Sequence, residues 1–270
     1  MANIIGTLGN DTLVGSDLAD TIKGLAGNDT ITGNEGDDIL TGGDGKDQFV
    51  SFFYDGTDTI TDFAGVGKGT NPASGVIAEV DTLKFEGNDY FFAARNLLLT
   101  QNGSNLEITF EDFEAFVEPR SAKVILQNFK LENLENQKSS GARPAIGNIL
   151  FSGQTSITDS FNVLDANSRD TSLGIKNTVT FLNDLDNNIT GLNNSDDVVN
   201  GQGGNDKING LSGNDLLRGG AGNDTLVGGA GSDTLVGGAG NNTLFGDAGD
   251  DILNVDFSTD NNLLSGGVGN

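Results

Sequence analysis

A nine-residue period at both ends of this chain limits what it can fold into. From Gly6 the sequence divides into five nonamers, GTLGNDTLV, GSDLADTIK, GLAGNDTIT, GNEGDDILT and GGDGKDQFV. Asp fills the sixth place each time, as Asp11, Asp20, Asp29, Asp38 and Asp47. A large apolar residue fills the eighth, as Leu13, Ile22, Ile31, Leu40 and Phe49. A second array runs from Gly201 to Asn254 as GQGGNDKIN, GLSGNDLLR, GGAGNDTLV, GGAGSDTLV, GGAGNNTLF and GDAGDDILN. Its sixth places are Asp206, Asp215, Asp224, Asp233, Asn242 and Asp251, and its eighth places are Ile208, Leu217, Leu226, Leu235, Leu244 and Leu253. A degenerate unit ahead of it adds Asp197 and Val199. Self-similarity at a short fixed period means a fold built by stacking.

The first six residues of a unit are Gly, Asn, Asp and small side chains, which tolerate left-handed φ and form turns. The last three are β-branched or apolar and suit a short strand. One apolar side chain per nine residues forms no core alone, but stacked turns line those side chains into a ladder. With two nonamers to a coil, units n and n+2 lie on the same side, and their sixth-place carboxylates face each other across a groove of turn carbonyls. Without a cation these ladders repel; with one between them, repulsion becomes ligation.

Composition agrees. The 270 residues include 41 glycines and 39 acidic against 14 basic residues, a net charge of −25. That charge opposes binding to nucleic acid phosphates and docking on an anionic membrane. It suits a hard divalent cation that takes oxygen ligands, although an acidic solubilising surface gives the same balance. The absence of Cys and His excludes disulfides, thiolate chemistry, tetrahedral zinc sites and His-dependent triads. The opening MANIIGTLGNDTL lacks the charged and apolar regions of a Sec signal peptide, and no apolar run approaches the roughly 20 residues that span a bilayer.

The pattern GGxGxDxUx, with U a large aliphatic residue, resembles the RTX (repeats-in-toxin) hemolysin-type calcium-binding repeat, and eleven units hold its register. The resemblance implies an all-β fold of right-handed parallel β-rolls, with Ca²⁺ between successive loops on both edges. It implies carboxylate ligands in the pairs Asp11–Asp29, Asp20–Asp38, Asp29–Asp47, Asp197–Asp215, Asp215–Asp233, Asp233–Asp251 and Asp206–Asp224. Carbonyls of the first, third and fifth places complete the shell: Gly210, Ser212 and Asn214; Gly219, Ala221 and Asn223; Gly228, Ala230 and Ser232. Asn242 departs from the pattern, so the Asp224–Asn242 site loses a negative ligand and is expected to be weaker. The second unit, Gly15-Ser16-Asp17-Leu18-Ala19, is poor in glycine. After Asn254 the register slips by two residues and Asn262 takes the sixth place, where the roll is expected to fray or cap.

Four regions follow: a first roll over 1–50, a β-rich cap over 51–130, a linker with strands over 131–180, and a second roll over 181–270. Fourteen of the 16 Phe lie between Phe49 and Phe181. There DGTDTITDF, VDTLKF, NLEITF and AKVILQNF alternate apolar and polar residues as half-buried strands do. FFAARNLLLT suits a short helix or a strand. Asp55, Asp58 and Asp62 stand either at a terminal calcium site or in a solvated turn. LENLENQKSSGARPAIGN, over 131–148, reads as a loop or linker.

No catalytic constellation emerges. GLSGN at Gly210–Asn214 breaks the GxSxG elbow, the GGAGND loops carry Asp where a P-loop has Lys, and the acids sit at repeat positions that a metal explains. The leading expectation is a non-catalytic, extracellular or cell-surface protein that folds on Ca²⁺. The family route is the type I secretion machinery. The family's pore-forming members carry long apolar helices ahead of the repeats, and this chain starts its first repeat at Gly6. The stop at GGVGN, in mid-repeat, is expected of a fragment. Two alternatives stay open: an accessory module of a larger secreted protease, lipase or polysaccharide-modifying enzyme, and an adhesin or surface-layer component with self-association or polysaccharide contact.

Overall fold

The computed structural model describes residues 1–67, 72–87, 91–111, 122–137, 145–158, 161–255 and 260–269. The stretch 138–144 of the expected linker lies outside them. The chain forms two compact units, Met1–Asp159 and Ser160–Asn270.

In the second unit, alternate units of the repeat stack into two parallel sheets. One runs Phe161–Val163, Val179–Phe181, Val198–Asn200, Leu216–Ala221, Thr234–Ala239, Ile252–Asn254; the other runs Asn188–Thr190, Lys207–Ser212, Thr225–Ala230, Thr243–Ala248, Leu263–Ser265. This is a parallel β-solenoid, and from Val198 to Asn254 its register obeys the eighteen-residue coil. Ile208 lies beside Leu226 and Leu226 beside Leu244; Val199 lies beside Leu217 and Leu217 beside Leu235. These side chains make one continuous core with Leu173, Leu182 and Ile189. Each buried Leu contributes about 2 kcal/mol of apolar burial, enough for the narrow column to hold a fold that is otherwise turn and groove.

The strands are longer than three residues in the middle of this array. Thr225–Ala230 carries on through Gly228, Gly229 and Ala230, the first three places of the next unit. In the array interiors the second place holds a left-handed conformation whatever residue occupies it, with Gly229 at φ +112° and Leu211 and Asp247 at 73° and 69°; Thr7, Ser16 and Leu192 depart from it. The coil therefore imposes this conformation. A side chain on Gly229 would stand 2.2 Å from the Leu211 carbonyl oxygen in the coil before, so glycine removes the contact as well as the strain.

The first unit is built alike. One sheet stacks Asn3–Ile5, Thr21–Ala26, Ile39–Asp44, Thr57–Ile60 and Lys123–Leu126 in parallel, then adds the antiparallel strands Asn105–Phe110 and Leu97–Asn102. The other stacks Thr12–Val14, Thr30–Thr32, Gln48–Phe52, Thr82–Glu86 and Ile149–Leu150. The Phe-rich stretch thus extends both sheets of the first array. Asp58-Thr59-Ile60 and Asp81-Thr82-Leu83 take the places of further repeat units, reached across 20 and 34 residues where the array uses 18. Phe85, Phe92 and Phe110 are buried and pack with ring centroids 4.7 to 5.1 Å apart. FFAARNLLLT resolves into a turn of 3₁₀ helix, Ala94–Asn96, and the strand Leu97–Asn102. A short helix, Ser74–Glu79, precedes the strand Thr82–Glu86.

Candidate metal centre

Each sixth-place side chain follows the tight turn and points back under its own loop. In the array interiors these carboxylates are buried, with Asp29, Asp38, Asp206, Asp224 and Asp233 each only 1% exposed. One oxygen has a fixed task. Oδ1 accepts the backbone N–H of the sixth-place residue one coil earlier: Asp29 from Asp11 at 2.8 Å, Asp47 from Asp29 at 2.8 Å, Asp215 from Asp197 at 2.8 Å, Asp224 from Asp206 at 2.8 Å, and Asp251 from Asp233 at 2.9 Å. The expected pairs are therefore neighbours, linked by a hydrogen bond along the edge.

The other oxygen divides the eleven expected aspartates into two groups. In Asp29, Asp38, Asp47, Asp206, Asp215, Asp224, Asp233 and Asp251, Oδ2 is buried with no hydrogen-bond partner. In Asp11 it accepts from the Thr7 amide at 2.6 Å and the Thr7 hydroxyl at 2.9 Å; in Asp20, from the Ser16 amide and hydroxyl, both at 2.7 Å; in Asp197, from the Leu192 amide at 2.8 Å. A polar second-place side chain thus closes the site of the glycine-poor second unit.

The unpartnered oxygens share a cradle. A methyl group on the first-place glycine would stand 2.1 to 2.6 Å from Oδ2 in all eight, at Gly24, Gly33, Gly42, Gly201, Gly210, Gly219, Gly228 and Gly246. At Gly6, Gly15 and Gly191, before the three closed carboxylates, the distance grows to between 2.7 and 3.2 Å. The first-place carbonyl of the next coil faces the same spot: Gly237 at 2.6 Å from the methyl position on Gly219, Gly219 at 2.1 Å from that on Gly201, Gly228 at 2.8 Å from that on Gly210. Carboxylate and carbonyl oxygens with no proton donor between them form a fit site for a hard oxygen-seeking cation. Among the described residues no three acidic side chains gather into a group that could hold a metal ion by themselves.

The remaining carbonyl candidates are placed differently. Those of Ser212 and Ala230, in the third place, accept the amides of Ser195 and Gly213, both at 3.0 Å. At the fifth place the side chains do the binding. Asn223 Oδ1 accepts the Asn241 amide at 2.8 Å, Asn214 Oδ1 the Ser232 amide at 2.8 Å, and Asn205 Oδ1 the Asn223 amide at 2.9 Å. This second ladder accepts from the following coil and the sixth-place ladder from the preceding one, so adjacent coils are stitched in both directions.

Asp58 and Asp81 were not legible as rungs from nine-residue spacing. Asp58 Oδ1 accepts the Asp38 amide at 3.2 Å; Asp81 accepts the Asp47 amide at 2.9 Å and the Ala64 amide at 2.7 Å. Their Asp-Thr-Ile and Asp-Thr-Leu triplets repeat the arrays' own, and that was the signal available. Asp55 is buried too, and Asp62 accepts the Gly42 and Gly43 amides at 3.0 and 2.9 Å.

Burial, reinforced by neighbouring carboxylates, pushes Asp206 and Asp215 up to about 7 and Asp58 and Asp81 up to about 8. Burial also raises Asp38, Asp224 and Asp233. Asp20 goes the other way, to about 2, because the Ser16 amide leads the donors on its carboxylate. The rungs so raised resist carrying charge unless something positive meets them.

The sequence profile of the RTX calcium-binding nonapeptide repeat matches residues 3–17, 14–49, 192–226 and 227–257. Residues 3–49 and 192–257 carry RTX calcium-binding nonapeptide repeats. Solved structures similar to the chain include the R3 subunit of AlgE6, a mannuronan C5-epimerase of Azotobacter vinelandii, at 24% identity and TM-score 0.34, covering 57% of this chain and 89% of that one. Its R2 subunit matches at 23% identity and TM-score 0.25, covering 48% and 89%. The extracellular lipase LipA of Serratia marcescens matches at 19% identity and TM-score 0.25, covering 92% of this chain and 33% of that one. No curated protein matches the chain. Among the described residues no helix is long and apolar enough to cross a membrane.

Proposed function

We propose that Asp29, Asp38, Asp47, Asp206, Asp215, Asp224, Asp233 and Asp251 are the calcium-ligating aspartates, and that the chain is an extracellular scaffold that orders on meeting calcium. The row of buried Oδ2 atoms without a donor carries this reading. An unpaired carboxylate held away from water is costly, and eight in four columns, two to each unit, make the metal-free fold fragile. Bound Ca²⁺ supplies the missing positive charge and joins each carboxylate to main-chain oxygens, among them the first-place carbonyls of Gly210, Gly219 and Gly228. Asp11, Asp20 and Asp197 keep their places in the edge ladder but, closed by Thr7, Ser16 and Leu192, end the columns instead of holding metal.

The finer architecture on this reading is two right-handed rolls joined by the Phe-rich segment, which shields the end of the first. Extracellular modules bind calcium with a Kd on the order of 10⁻⁴–10⁻³ M, so the chain is only marginally stable in calcium-poor cytosol and gains its full order outside. That suits export through the type I machinery, with a cell surface, a polysaccharide or a second copy as later contacts.

A Ca²⁺ titration followed by far-UV circular dichroism, with Mg²⁺ as control, tests the proposal. The expected result is a cooperative gain of β signal with calcium alone. A chain fully β-structured in excess chelator and unaltered by calcium would sink it.

A further inference from the structure

On one edge of the second unit the sixth-place column runs Asp206, Asp224, Asn242, Asn262, each donating its amide to the Oδ1 of the next, at 2.8, 2.9 and 2.7 Å. Asn242 is 1% exposed, as buried as the aspartates above it. Its Oδ1 is held by the Asp224 amide, which fixes which way the carboxamide faces. Nδ2 therefore lies where an aspartate places its unpartnered Oδ2. There it donates to two carbonyls of its own loop, Gly238 at 3.1 Å and Gly240 at 3.3 Å. A methyl group on Gly237 would stand 2.9 Å from Nδ2, a distance in the range of the three closed rungs and outside that of the eight open cradles.

We infer that Asn242 is a built-in substitute for the cation: its amide hydrogens close the rung, so this coil binds no calcium and is ordered without it. The inference rests on the calcium reading of the acidic rungs and sharpens it. A weakened site would still set oxygen against oxygen. Here a donor meets the acceptors, and a cation approaching them would meet the positive end of an N–H dipole. The rung breaks the acidic column on that edge and gives the second unit a stretch in place before calcium arrives, against which the Asp224 and Asp206 coils stack.

The test compares the native chain with Asn242→Asp and Asn242→Ala. In excess chelator, amides of residues 237–245 in the native chain should exchange with deuterium about tenfold or more slowly than those of residues 219–227, since local opening follows local stability. Asn242→Asp should erase that difference and, by calorimetric titration with Ca²⁺, bind one more ion per chain than the native protein. Asn242→Ala should lose the slow exchange and gain no ion. An Asn242→Asp chain that gains no ion, or native amides at 237–245 that exchange as fast as those at 219–227, would overturn the inference. A native chain that binds no calcium at all would overturn the calcium reading, while the exchange comparison in chelator would still decide the role of Asn242.

Discussion

Gly219→Ala separates the two tasks of a repeat loop, shaping the turn and leaving room for the ion. Gly219 has no left-handed φ, so alanine fits its backbone, and the whole effect lies in the added methyl. That methyl would stand 2.3 Å from Asp224 Oδ2 and 2.6 Å from the Gly237 carbonyl oxygen, in the middle of the cradle. Forcing a methyl into a filled space costs about 1–3 kcal/mol, and this part of the loss is expected with or without calcium. A second part appears only when calcium is present. At free calcium about one hundred-fold above its Kd, one site stabilises the fold by about 2.7 kcal/mol, and the variant forfeits that. The assay is thermal or urea unfolding in chelator and in calcium, with ion counting by calorimetry. The calcium-induced gain should shrink by about one site's worth, and one ion should be lost. Gly203→Ala is the control, because its nearest neighbour, Asp184 Oδ1, would be 3.4 Å away; it should stay within about 0.5 kcal/mol of native in both conditions. An equal calcium-induced gain in Gly219→Ala and the native chain would show that the cradle is not where the ion sits.

Other expectations concern the parts of the coil that need no metal. Leu226→Ala empties a fully buried place between Ile208 and Leu244 and should cost about 2–5 kcal/mol, alike in chelator and calcium by urea unfolding. Asn223→Ala removes the acceptor of the Asn241 amide and side-chain nitrogen; a loss of about 1 kcal/mol, independent of calcium, would confirm the fifth-place ladder, and a calcium-dependent loss would refute it. The calcium-free fold should be more stable in mild acid than at pH 8. Folding raises Asp206 and Asp215 to about 7 and Asp58 and Asp81 to about 8, so their contribution is full below the unfolded value of about 4 and is lost as pH rises through 7 to 8. Urea midpoints in chelator from pH 4 to 8 measure it, and a rise with pH would contradict the burial of these groups.

The repeat period alone settled the stacking of n on n+2, the inward eighth-place column from Ile208 to Leu244, and the sixth-place aspartates as edge neighbours. All of these follow from local periodicity, and a nine-residue unit with one large apolar side chain has few other ways to bury it. Asp58 and Asp81 escaped the period because insertions separate them from Asp38 and Asp47, and only strand pairing across those insertions brings them into the columns. The division of the aspartates into open and closed sites lay in the coil as well. Whether Oδ2 finds a donor depends on how close the second-place amide comes, and at Thr7 and Ser16 on a hydroxyl reaching the carboxylate four residues ahead, which composition does not specify. At Asn242 the sequence announced a missing charge; the fold decided what that absence does, because only the Asp224 amide one coil away turns the side chain so that its N–H groups face the loop carbonyls.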